Sequence, residues 1–128
     1  MKRIACIGDN CIDYYDDSGV AYPGGNPVNV AVYTLRLGGK ASYIGAVGED
    51  RFGTLLKQTL AEKGVDISHV KVLPGKTAIT HVTMESGNRV LGEYDEGVMA
   101  EYTPDAEDVE YACTHDLVVT GLWGHSES

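Results

Sequence analysis

Strand-like and helix-like stretches alternate along this chain, and the alternation predicts an α/β fold with a mainly parallel sheet. Two observations carry the prediction. Short apolar runs at Arg3–Gly8, Ala41–Val47 and Leu117–Thr120 stop at glycines, as buried strands do, and amphipathic stretches at Pro27–Leu37 and Asp50–Lys63 separate the first of them. Of the 128 residues, 43% are hydrophobic and 23% charged, enough apolar material for one core.

In chain order, Arg3–Gly8 reads as a strand, with Asp9, Asn10 and Cys11 as a polar loop at its carboxyl end. Open α/β sheets bind ligands at such ends. Ile12–Tyr15 and Val20–Tyr22 read as a hairpin around Asp16-Asp17-Ser18-Gly19. In Tyr22-Pro23-Gly24-Gly25-Asn26-Pro27 the expected N-cap is Asn26 and the expected first helical residue is Pro27, whose fixed φ suits that position. That helix runs to Leu37 on an apolar face of Val28, Ala31, Val32 and Leu35, and Gly38-Gly39 ends it. Ala41–Val47 is the next core strand, followed by a helix over Asp50–Lys63 through Phe52, Leu55, Leu56, Thr59 and Leu60. Val70–Leu73 is a short strand, and Thr77–Glu85 and Arg89–Tyr94 are β segments joined by Ser86-Gly87-Asn88. Thr103 is the expected cap of a short acidic helix to about Cys113, and Leu117–Thr120 is the last strand. A parallel sheet needs helices on both faces, yet no helix follows that strand before Ser128. The expectation is the front portion of a longer protein or, alternatively, a small domain completed by a partner chain.

Charge and composition narrow the chemistry. Ten Lys and Arg against 19 Asp and Glu give −9, a field that repels phosphate backbones, so no nucleic-acid partner is expected. A neutral or cationic small ligand fits better. The N-terminal apolar run, Ile4–Ile7, is too short for a signal peptide or a span, so no membrane partner is expected. Cys6, Cys11 and Cys113 have no paired spacing, which points to the cytoplasm, and the scattered His69, His81, His115 and His125 suggest no metal site. No Gly-x-Gly-x-x-Gly follows the first strand, which argues against a dinucleotide-binding oxidoreductase.

The segment Gly24-Gly25-Asn26-Pro27-Val28-Asn29 is the most informative. Two glycines admit a ligand close to the backbone, and the helix that follows presents unpaired N–H groups suited to hydroxyls or an anion. Asn29, in the first turn, can donate and accept toward the same space. Asp13, just past the first strand, could accept two hydrogen bonds from adjacent hydroxyls of a polyol, with Asp9 and Asp16 as competitors for that role.

The order of motifs then becomes recognisable. Ile-Gly-Asp-Asn-Cys-Ile-Asp at 7–13, Gly-Gly-Asn-Pro-Val-Asn-Val-Ala at 24–31, Ile-Gly-Ala-Val-Gly-Glu-Asp-Arg-Phe-Gly at 44–53 and Gly-Val-Asp at 64–66 resemble the ribokinase-like (PfkB) carbohydrate kinases over essentially the whole chain. Val-Asp-Ile-Ser-His-Val at 65–70, Glu-Gly-Val-Met-Ala at 96–100 and Trp-Gly-His at 123–125 resemble the fructoselysine-phosphorylating branch of that family. The resemblance implies a three-layer α/β core, here its N-terminal part, with a small β-sheet lid at about 12–22 and 77–97. It implies sugar contacts at Asp13, Gly24, Gly25 and Asn29, with Asn26, Tyr14, Tyr22, Thr83 and Arg89 as further lid or loop candidates. Asp95 and Glu96, at the end of a lid strand, are candidates for meeting the ammonium of fructoselysine. It also implies a cytoplasmic kinase that uses ATP and Mg²⁺, a homodimer paired through the lid, and phosphorylation of the 6-hydroxyl of fructoselysine or a related ketose. The family's Gly-Ala-Gly-Asp segment, its Asn-x-x-Glu element and a Gly-x-x-x-x-Gly-Lys loop are all absent, so no catalytic residue, ATP site or metal ligand is assigned within this chain. The alternatives are a non-catalytic sugar-binding or regulatory half-domain, or a fructokinase- or ribokinase-type enzyme for another sugar.

Overall fold

The structure, a computed structural model, describes residues 2–120, apart from the side chains of Arg89, Leu91 and Glu93. His125 and the Trp123-Gly124-His125 motif lie outside the described residues. In chain order the strands are β1 (Arg3–Ile7), β2 (Cys11–Tyr15), β3 (Val20–Gly24), β4 (Lys40–Gly48), β5 (Val70–Leu73), β6 (Ile79–Glu85), β7 (Asn88–Asp95) and β8 (Leu117–Thr120). The helices are α1 (Asn26–Arg36), α2 (Arg51–Glu62) and α3 (Ala106–Ala112), with a 3-10 turn at Gly97–Ala100.

The core is a parallel sheet in the order β5-β4-β1-β8. Alternation along its strands builds three layers. Cys6, Ala41, Tyr43 and Val47 turn to one face, where they meet Val28 and Ala31 of α1 and Leu56 and Leu60 of α2. On the other face Ala5, Ile7 and Ile44 pack on Ala112 of α3, and Ala46 packs on Val98 and Met99 of the 3-10 turn. Each large side chain buried this way contributes about 1.5–3 kcal/mol. None of the helices among the described residues is long and apolar enough to cross a membrane.

A second sheet, ordered β3-β2-β6-β7, is separate from the first in its hydrogen bonding and packs on the core cluster through Ile12. Strands β2 and β3 are antiparallel from Cys11↔Gly24 to Tyr15↔Val20, β2 runs parallel to β6, and β6 and β7 close an antiparallel hairpin. Its turn is only Ser86-Gly87, at φ 52° and 81°, because two left-handed residues match the twist of the flanking strands. Asn88 is therefore in β7, paired with Glu85, rather than in the loop.

Three local expectations are corrected. Gly25, not Asn26, is the α1 cap: it sits at φ 102° with no side-chain cap, and Asn26 becomes the first helical residue ahead of Pro27. Asp105, not Thr103, caps α3, because Asp105 and Asp108 each accept the other's backbone N–H in a capping box. Strand β6 starts at Ile79 rather than Thr77, since Thr77 is drawn to the α2 cap. Asp50 accepts from Gly53 N at 2.8 Å, Thr77 N at 2.9 Å and Thr77 Oγ1 at 2.7 Å, while Gly48 N donates to Thr77 Oγ1 at 2.9 Å. Burial pushes the Asp50 carboxyl up, but the hydrogen bonds from Thr77 and Gly53 outweigh it and hold the group below the usual carboxylate range.

Candidate functional site

The seam between the two sheets begins at the carboxyl end of β1. Gly8, at φ 136°, turns the chain out of the core, and its carbonyl accepts the Tyr43 hydroxyl at 2.6 Å. Asn10, fully buried, donates through Nδ2 to Tyr43 Oη at 2.8 Å and to the Ala46 carbonyl at 2.7 Å. Burial, above all, pushes the Tyr43 hydroxyl far above its ordinary range, so it remains a neutral donor. These bonds fix the Gly8–Cys11 loop on β4. Gly25 lies against that loop so closely that a Cβ there would stand 2.9 Å from Asn10 Cα and 3.0 Å from the Asp9 carbonyl oxygen. With φ also positive, only glycine fits without strain.

From the seam, Asp13 projects on the face of the second sheet opposite Ile12. Ladder pairing puts Tyr22, Asp13, Thr80 and Tyr94 in one row across all four strands, hence on one face. Asp13 is half-buried; its Oδ1 accepts from the Cys11 thiol at 3.5 Å, and its Oδ2 lies 3.0 Å from where a Cβ on Gly24 would be. Burial first, then the Asp13 charge, push the Cys11 thiol up to about 12, which keeps it protonated as a donor. Tyr94 is likewise pushed up to about 12, by burial and then by Cys11, Asp9, Glu96 and Asp95. The row thus offers one carboxylate flanked by neutral hydroxyls and a thiol. It can accept and donate to a polyol, but no described residue here supplies a phosphoryl anion hole or a base.

Not every candidate joins this row. Asn29 is one turn along α1, its N–H bonded to the Gly25 carbonyl at 2.9 Å, and it lines a cleft of about 310 Å³ with Tyr22, Pro23 and Tyr33. Asn26 is exposed. Tyr14 lies on the opposite face, edge-on to Phe52 at 5.8 Å, and alternation along β6 puts Thr83 on that face with His81. Asp95 shares its ladder row with Ile79 and Ile12, and its Oδ1 accepts Gly97 N at 2.9 Å. Arg89 pairs with Met84 in the ladder, and its side chain is outside the described set. Asp16 is occupied by His81 at 2.8 Å. Sequence reasoning missed Thr80 and Tyr94, which become visible only through the β2–β6–β7 register, and it left Cys11 without a role. No three His, Cys, Asp or Glu side chains gather to hold a metal among the described residues, and a cavity of about 540 Å³ between α2 and the β4–β5 edge contains none of the candidates.

Comparison with known proteins bears directly on this arrangement. The pfkB family carbohydrate kinase pattern matches residues 1–121. The chain is 49% identical over 127 residues to fructoselysine 6-kinase of Escherichia coli K12, covering 99% of this chain and 49% of that protein. It is 36% identical over 132 residues to a fructosamine kinase of Bacillus subtilis 168, covering 100% of this chain and 46% of that one. Among solved structures, a fructokinase with bound ATP from Xylella fastidiosa superposes with a TM-score of 0.62 at 34% identity, covering 71% of this chain and 32% of the other. The chain therefore spans about half the length of the curated relatives it matches.

Proposed function

This chain belongs to the pfkB carbohydrate kinase family, and from that premise we propose that the whole protein transfers phosphate from ATP to a ketose, with fructoselysine as substrate and its 6-hydroxyl as acceptor. The single observation that carries the reading is the half-buried Asp13 on β2, set between Gly24, the Cys11 thiol and Thr80. The Asp13 carboxylate accepts hydrogen bonds from adjacent sugar hydroxyls, and the uncapped first turn of α1 offers N–H donors beside it. Gly24, with no side chain to crowd the Asp13 carboxylate, lets the sugar approach it, Gly25 lets the Gly8–Cys11 loop close against the start of α1, and Asn29 and Tyr22 border the sugar. ATP supplies the phosphoryl group and Mg²⁺ its charge neutralisation. No motif or acidic cluster of the described residues fits either, so the role given to this chain is to bind and orient the sugar.

The same reading includes a cytoplasmic protein and a homodimer through the lid. Free Cys6, Cys11 and Cys113 suit a reducing compartment. Edge strands β3 and β7, with Val20, Tyr22, Val90 and Tyr94 exposed, suit pairing with a second copy. Sugar-dependent ADP release by the whole natural protein tests the proposal, with fructoselysine, fructose and ribose compared. The expected result is the highest kcat/KM on fructoselysine. Preference for fructose or ribose would redirect the substrate, and sugar binding without ADP release would support a non-catalytic sugar-binding domain instead.

A further inference from the structure

One carboxylate oxygen in the Gly8–Cys11 loop is shut off from solvent and has no partner. Asp9 Oδ1 accepts no hydrogen bond from any described residue, and the side-chain carbonyl of Asn10, next in the chain, is in the same condition. A buried acceptor left unpaired is costly, and a charged one more so. The neighbours on which Asp9 acts are the Cys11 thiol and the Tyr43 and Tyr94 phenols, none of which can carry positive charge. Burial is the main influence on Asp9 itself and pushes its carboxyl up, its own backbone N–H pulls the other way, and no lysine or arginine is among its influences. The other acids considered for the site differ in this respect. Asp16 is paired with His81, Asp95 is bonded to Gly97 N, and Asp13 already receives the Cys11 thiol. Asp9 is thus the loop carboxylate with one buried oxygen that no described donor meets, two residues from the thiol that touches Asp13.

We infer that Asp9 is a specificity-determining residue: its part-buried carboxylate receives the secondary ammonium of an aminated ketose whose hydroxyls lie against Asp13. An ammonium suits this carboxylate better than a metal ion, which would need further ligands that do not gather among the described residues. It also supplies a charged donor, which none of the neighbours of Asp9 can, in a charge-assisted bond. The inference rests on the sugar-kinase reading above and places the selectivity for a cationic substrate at Asp9 rather than at Asp95 or Glu96.

The test uses the whole natural protein at saturating ATP with three substrates: fructoselysine, fructose, and an uncharged ether in which oxygen replaces the amine nitrogen. The Asp9→Asn variant is expected to lose at least about 10-fold more kcat/KM on fructoselysine than on fructose or the ether. Wild type is expected to prefer fructoselysine to the ether by a similar factor, and a wild type without that preference overturns the inference even if the variant does not fold. Equal losses on all three substrates, or a wild type indifferent between amine and ether, would overturn the inference while leaving the kinase reading intact. A wild type that phosphorylates none of the three would overturn both.

Discussion

The two sheets of this chain are stabilised in different ways. In the core, every residue of β4 after Lys40 is buried, and helices cover both faces. In the second sheet, Ile12 is the one buried residue of β2 and Val82 the one buried residue of β6. Buried area holds the first; the second relies on its strand ladders, on Ile12, Tyr14, Ala21 and Ile79 packed at the core cluster, and on single polar contacts such as Asp16 with His81 and Asp17 Oδ2 accepting Met84 N at 3.0 Å. The difference explains where a ligand site can arise. Asp13 follows Ile12, whose side chain is anchored in the core cluster, so the carboxylate is positioned by the rigid sheet while the strands around it remain adjustable.

The contrast can be broken most forcefully at Leu56, fully buried against β4. Leu56→Ala should cost about 2–5 kcal/mol in denaturant unfolding, whereas Met84→Ala, at a position 45% exposed on the second sheet, should stay within about 0.5 kcal/mol. Comparable losses at both would mean that the second sheet carries a core of its own.

Next in size is Asp13. Losing two hydrogen bonds to a charged acceptor, at about 1.5–3 kcal/mol each, should lower kcat/KM of the whole protein about 100-fold or more in Asp13→Ala, with the melting temperature nearly unchanged. Steady-state kinetics and thermal unfolding on the same samples separate the two effects.

A glycine pair sharpens the seam. Gly25 and Gly38 have similar positive φ, 102° and 88°, but a Cβ would meet Asn10 Cα at 2.9 Å in the first case and nothing within 4 Å in the second. Gly38→Ala should cost about 1 kcal/mol from conformation alone, and Gly25→Ala more than that, with sugar affinity falling in the Gly25 variant only. Equal costs in calorimetric unfolding would show that the close approach at the seam is not tight.

These residues also mark how far the sequence could be read. The core strands and both long helices lie close to where glycine stops and three-and-four spacing place them, because those signals are local to each element. Caps were less legible: Gly25 is set by its approach to Asp9 and Asn10, and Asp105 by reciprocity with Asp108. The Asp13–Gly24–Gly25 seam was legible only through the family resemblance, since residue types alone left Asp9 and Asp16 in competition with Asp13. The faces of the second sheet were not, because they depend on the parallel β2–β6 pairing that aligns Asp13 with Thr80 and turns Tyr14 and Thr83 to the other side.

The smallest expected effect concerns the Thr77 clasp. Because the folded Asp50 carboxyl lies below its unfolded value of about 3.9, the folded state binds fewer protons there. Its contribution is fully present above that pH and is lost as pH falls through the folded value. Thr77→Val should cost about 1 kcal/mol at neutral pH, and the gap from wild type should narrow on acidification, as followed by unfolding between pH 2 and pH 7. A gap independent of pH would show that Asp50 is not the partner that matters.

The central claim is that a ketose binds at the seam between the two sheets. Hydrogen exchange of the whole natural protein with and without fructoselysine tests it most directly. The account predicts added protection at Gly8–Asp13, Gly24–Asn29 and Thr80, with β5 and α3 unchanged. Protection confined to the α2–β5 cavity around Val47, Lys57 and Val72 would contradict it.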